Sequence, residues 1–209
     1  MNNIDYIVLA TLILTNLVLL LEVLYFIIRR NTTNKLIQAA FEKNEDKFNK
    51  ISDSFSGKFV SKFDKEYIKF NVALIQKDNK NIEKAINDIE NMNLTKGQKR
   101  RIYPKAFYYY IDHNKKQEAK NYYDKLSTIN VYKEKKNVEM MYDTYILESH
   151  KHLDESLKKL SRVKKEELPQ LEKAISKMYE NKKINSEAKK YERLAQRHQA
   201  ELEGITRKQ

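Results

Sequence analysis

Residues 6–28, YIVLATLILTNLVLLLEVLYFII, are 23 consecutive positions with one charged side chain, Glu22, and everything beyond Arg29 is strongly polar. A helix of that length rises ~35 Å, enough to cross a hydrocarbon layer of ~30 Å with some tilt. Tyr6 at one end and Tyr25 with Phe26 at the other stand where aromatic side chains meet the two interfaces of a bilayer. A cleaved signal peptide would open on basic residues, run shorter and end in small residues. Here residues 1–5 carry no Lys or Arg, and Asn31, Thr32 and Thr33 follow the arginines. The stretch is therefore expected to be a retained transmembrane helix, with residues 1–30 as an anchor.

The flanks give it a direction. Arg29, Arg30 and Lys35 follow the span and only Asp5 precedes it, so the positive-inside rule puts the N-terminus outside and residues 29–209 in the cytoplasm. Glu22 lies six residues before Ile28, ~9 Å from the inner end along a helix. A carboxylate there either snorkels to the headgroups or, with Asn16 and Thr15 on a polar stripe, meets another membrane helix.

The remainder is basic. Of the 209 residues 41 are Lys or Arg and 29 are Asp or Glu, a formal charge of +12, and residues 1–30 contribute none of the excess. That charge is expected to face an anionic inner leaflet. The chain has no cysteine, which excludes disulfides, cysteine zinc sites, cysteine-ligated clusters and cysteine nucleophiles. Its three glycines, Gly57, Gly97 and Gly204, are too scattered for a phosphate loop, and so few turn formers argue for an all-α fold.

Residues 31–64 are expected to be an amphipathic juxtamembrane linker helix. Ile37, Phe41, Phe48, Ile51, Phe55, Phe59 and Phe63 recur three, four or seven apart. Phe41, Phe48 and Phe55 form a heptad, which raises self-association through this segment. The flanking Lys43, Lys47, Lys50, Lys58 and Lys62 raise contact with anionic lipid instead, and packing on the following domain is the third reading. Gly57 is expected to break the segment into two helices.

From residue 65 to 209 a helix-pair pattern recurs. In residues 67–92 and 101–126 an apolar helix ends in a polar turn, and a second helix places a small residue before two bulky ones: Ala85, Ile89, Met92, then Ala119, Tyr123, Leu126. The alanines are 34 apart, the length of a tetratricopeptide unit. Ser156, Leu160, Val163 and Ala188, Tyr191, Leu194 continue the pattern less regularly. Short turns at 78–81, 114–116, 150–154 and 181–186 suit antiparallel neighbours, with Asn81 and Asp154 among the expected caps. On these residues the domain resembles the tetratricopeptide-repeat family. It departs where that family favours Trp, Gly and Pro: the first unit has Lys69, Ala73 and Gly97, the second Tyr103, Phe107 and Val131.

The resemblance implies a concave groove lined by the first helix of each pair. Carried across by register, it falls on Tyr67, Phe70, Leu74 and Asp78, on Arg101, Tyr108, Ile111 and Asp112, and on Met141, Tyr145 and Glu148. Such a groove takes a protein or peptide partner. Separately, Lys96, Lys99, Arg100, Arg101 and Lys105 crowd the start of a helix, where the macrodipole prefers acids, and form a basic patch. A further basic run, Lys133, Lys135 and Lys136, is broken by Glu134. The four histidines include His150 and His152, two apart and thus on different helix faces, and no metal or catalytic motif is present. The sequence thus describes a membrane-anchored adaptor, with no cofactor, metal or catalytic residue expected. A self-associating structural protein and nucleic-acid binding by the basic edge are its rivals, the latter the less favoured.

Overall fold

A computed structural model describes residues 3–129 and 135–206, with side chains from Val8 to Gly204 outside that gap. Val131, Lys133 and Glu134 lie outside the described residues, as do the side chains of Asp5 and Tyr6. The described residues are helical, without strands, and the chain divides into two compact units, Met1–Thr95 and Lys96–Gln209.

The first unit begins with α1 (Asn3–Phe41), a single helix of 39 residues. Its apolar part is long and apolar enough to cross a membrane, and none of that stretch is buried inside the protein as whole residues. The helix does not stop where the apolar stretch does. Beyond Arg29 it presents Thr32, Leu36 and Ala39, all buried, at the spacing of one helix face. Leu36 and Ala39 join Phe48, Val60, Ile68 and Val72 in one core. The residues expected to be a separate linker helix are therefore the end of α1, then α2 (Glu45–Asp53), a short 3-10 turn (Ser56–Phe59) and the start of α3 (Lys62–Ile75). The helix break expected at Gly57 is present. A Cβ there would collide with the carbonyl oxygens of Ile51 and Ser52, so only glycine lets the turn fold back on α2. Because Phe48 is buried while Phe55 is exposed, the Phe41, Phe48 and Phe55 heptad has no common exposed face for a coiled coil. The unit closes with α4 (Asn79–Glu90), packed on α3.

The second unit contains α5 (Lys96–Asp112), α6 (Lys116–Ser127), α7 (Lys135–Tyr145), α8 (Leu153–Lys159), α9 (Leu168–Asn181) and α10 (Asn185–Thr206). Helix α5 packs on α6, and α9 packs on α10.

One local device recurs through both units. Lys43, Lys77, Asn114, Glu148 and Lys183 all have positive φ, between 51° and 63°. They follow one another at intervals of 34, 37, 34 and 35 residues. At four of them the helix ends in a Schellman arrangement. Asn44, Asp78, Lys115 and Ile184 donate their N–H to the carbonyls of Ala39, Ala73, Tyr110 and Tyr179 at 2.9–3.0 Å. The turn at Glu148 is wider, with the Ser149 N–H reaching Asp143 O at 2.8 Å. Seven residues before each turn stand Leu36, Phe70, Phe107, Met141 and Ser176, and five after stand Phe48, Ile82, Ala119, Leu153 and Ala188; all ten are buried. Ala85 comes eight residues after its turn and Ala119 five after its own, so the pair used to set the repeat does not occupy equivalent places. The first such turn, at Lys43, lies in the segment expected to be a linker.

The caps differ in detail from expectation. Asp78, not Asn81, caps α4, its carboxylate accepting from the Asn81 N–H at 3.3 Å. His152 stands at the start of α8, and Asp154 lies within its first turn.

Candidate functional site

Along α3 the four expected groove residues have different surroundings. Tyr67 is half-buried, stacked on Phe63 at 5.5 Å and tilted against Phe70 at 6.2 Å. Phe70 is fully buried and belongs to the core. Leu74 is half-buried. Asp78 is bound to the neighbouring turn by an ion pair with Lys43 at 3.0 Å. The hydrogen bond from Lys43 and that from the Asn81 N–H hold its carboxyl below the ordinary aspartate range.

In the second unit Ile111 and Met141 are likewise buried, which removes them from any open groove. Asp112 pairs with Lys173 at 2.8 Å, and Glu148 with Lys116 at 2.6 Å. These acids join helices or turns of their own unit. Tyr145 is largely enclosed, and burial pushes its hydroxyl pKa up, with Asp112 and Glu180 adding to the effect. Arg101 is exposed on α5, and Tyr108 is half-buried with its ring edge-on to Phe107 at 5.5 Å. Of the expected groove, Tyr67, Leu74, Asp78, Arg101, Tyr108, Asp112, Tyr145 and Glu148 remain as surface or partly exposed positions, and Phe70, Ile111 and Met141 do not.

The basic residues Lys96, Lys99, Arg100, Arg101 and Lys105 all fall on α5, whose first turn holds no acid. Lys96, Arg100, Arg101 and Lys105 are exposed, and Lys99 is partly so. In the apolar stretch of α1, Asn16 donates to Leu12 O and Thr15 to Thr11 O, both at 2.8 Å, so each has one hydrogen-bond partner within its own helix. Glu22 is exposed on the same helix.

Three arrangements were not read from sequence. A cleft of about 310 Å³ opens in the first unit, lined by Ala39, Phe48, Glu66, Lys69, Ala73 and Ala85 among others. Small side chains beside the turns leave this space. Glu66 Oε1 accepts from Lys69 Nζ at 3.0 Å, Lys69 lies 4.8 Å from the Phe48 ring centre, and Glu66 Oε2 is buried without a partner. The second arrangement is a pair of histidine–carboxylate contacts, His152 to Asp143 at 2.7 Å and His198 to Glu172 at 2.8 Å. Burial works against ionisation of Asp143, but hydrogen bonds from Lys151 and His152 hold its carboxyl below the ordinary range. The third is an aromatic cluster beside the end of the apolar stretch, formed by Tyr25, Phe26, Phe55 and Phe59. Among the described residues no group of three or more His, Cys, Asp or Glu could hold a metal ion.

The Glu172 side chain is only 5 % exposed, so its link to His198 carries weight in joining α9 to α10. Replacing His198 by Ala leaves that carboxylate without this partner and is expected to cost about 1–3 kcal/mol. Hydrogen exchange across α9 and α10 reads the loss, and His198→Gln, which keeps a donor, is expected to recover part of it.

No protein-family model matches the chain, and no curated protein or solved structure is significantly similar to it.

Proposed function

We infer that this protein is a single-pass membrane adaptor whose cytoplasm-facing, tetratricopeptide-like helical hairpins hold a protein or peptide partner at the inner membrane surface. The observation that carries the reading is the continuity of α1, which runs unbroken from an exposed apolar stretch into the core of the first unit. An exposed apolar helix is stable in lipid and costly in water, whereas its continuation is built to pack against protein. Tethering a recognition surface in this way confines the search for a partner to a thin layer and raises effective concentration without tight binding. Arg29, Arg30 and Lys35 after the span favour the cytoplasmic side for the hairpins.

Because the chain has no cysteine, single introduced thiols report its orientation without background. In intact cells Asn3→Cys is expected to react with a membrane-impermeant maleimide, and Lys189→Cys only after the membrane is opened. The reverse pattern overturns the orientation, and labelling of both in intact cells overturns the cytoplasmic placement.

A further inference from the structure

The turn that joins α2 to α3 has two unlike sides. Inward, Gly57 presses on the carbonyls of Ile51 and Ser52, and Val60 enters the core. Outward, Phe55 is 75 % exposed, more than any other described large hydrophobic residue, including those on the apolar stretch of α1. Its ring meets Phe59 edge-on at 5.5 Å, and Phe59 meets Tyr25 of α1 at 5.7 Å. Tyr25 lies three residues before Ile28, so this chain of rings joins α1 ~4.5 Å short of the end of its apolar stretch. An ion pair between Arg29 and Asp64 at 3.1 Å fixes the start of α3 at the same level. Arg30, Lys58 and Lys62, all exposed, stand close in sequence to the ring-bearing residues: Arg30 five positions after Tyr25, Lys58 and Lys62 on either side of Phe59.

From this geometry we propose that Phe55 and Phe59 form an aromatic wedge that enters the lipid leaflet in which the α1 span ends, with Arg30, Lys58 and Lys62 meeting the phosphate headgroups. The proposal deepens the membrane-anchor reading and rests on it. Phenylalanine rings gain by leaving water for the boundary between headgroups and acyl chains, and basic side chains near them gain from anionic lipid. The lipid is selected as occupant because the wedge is continuous with the apolar surface of α1 itself. Other exposed apolar residues of the unit lack that continuity. Phe41 follows Ile28 by 13 residues, ~20 Å along the helix, and Ile75 stands beside Phe41, joined through the Gln76 side-chain hydrogen bond to Phe41 O. The wedge would give the protein a second attachment to the bilayer and so fix how the first unit is turned about the axis of α1.

The absence of tryptophan from the chain makes the test direct. The full chain is reconstituted in vesicles of phosphatidylcholine and phosphatidylglycerol in equal parts, as Phe55→Trp, Ile75→Trp or Leu17→Trp. Phe55→Trp is expected to show blue-shifted emission, loss of emission with lipids brominated near the glycerol end of the chains, and protection from aqueous acrylamide. Ile75→Trp is expected to be quenched by acrylamide and unaffected by lipid bromine. Leu17→Trp should lose emission to bromine deep in the chains. If Leu17→Trp responds as expected and Phe55→Trp is quenched by acrylamide like Ile75→Trp, the wedge is overturned and the anchor stands. If Leu17→Trp fails to sense lipid bromine, the anchor falls and the wedge with it. Protection of Phe55→Trp from acrylamide without bromine quenching assigns the surface to another protein copy and also overturns the proposal.

Discussion

Replacing Leu36 by Ala is expected to loosen the whole first unit by about 2–5 kcal/mol, the range for deleting a fully buried leucine side chain. Leu36 has no exposed surface and sits in α1, eight residues past the end of the apolar stretch, where it meets the core formed with Phe48, Val60, Ile68 and Val72. Hydrogen exchange in the full chain in lipid vesicles should therefore rise across α2, α3 and α4 together. Gln38→Ala, on the exposed side of the same helix, should leave exchange in those helices nearly unchanged. If residues 29–41 were only a spacer, the two variants would behave alike. The result bears on function because a helix that is itself a wall of the first unit transmits rotation or displacement of its apolar stretch, whereas a flexible linker would absorb it.

The apolar span was legible because composition alone sets it apart. Its continuation was not, since Arg29, Arg30, Asn31, Thr32 and Thr33 read as the end of a membrane helix and the start of a linker. Thr32 is nonetheless buried, its hydroxyl donating to Ile28 O at 2.8 Å, and this local hydrogen bond lets a polar residue take a core position. Helix pairing was legible in α3 with α4 and α5 with α6, but the repeat register was not. Its marker is a left-handed turn residue usually supplied by glycine, and here Lys43, Lys77, Asn114, Glu148 and Lys183 hold it. With no glycine to mark the turns, Ala85 and Ala119 offered a convincing but unequal pair. The groove positions suffered from the same ambiguity. An aromatic or aliphatic residue on a first helix is apolar whether it faces a partner or the core, and only packing reveals that Phe70, Ile111 and Met141 are enclosed.

That distinction has its sharpest consequence at two adjacent residues of α5. Phe107→Ala is expected to cost about 3–5 kcal/mol, as for other buried phenylalanines. Its fully buried ring lies 5.5 Å from Tyr108 and 6.4 Å from Tyr123, and Tyr123 in turn stacks on Tyr142 of α7 at 3.7 Å. Loss of Phe107 should thus raise exchange in α5, α6 and α7 and lower the thermal midpoint of the second unit. Tyr108, half-buried beside it, is expected to cost about 1 kcal/mol on truncation to Ala, the ordinary value for a single substitution. The contrast also sets the terms for testing a partner surface. Partner loss in Phe107→Ala reports an opened unit and says nothing about recognition. Loss in Tyr108→Ala, with exchange in α5 to α7 raised by no more than the roughly fivefold that ~1 kcal/mol implies, assigns recognition to the exposed edge of that ring. Full retention there, together with retention in Tyr67→Ala, would remove Tyr67 and Tyr108 from partner binding and leave the basic residues of α5 as the surface to reverse next.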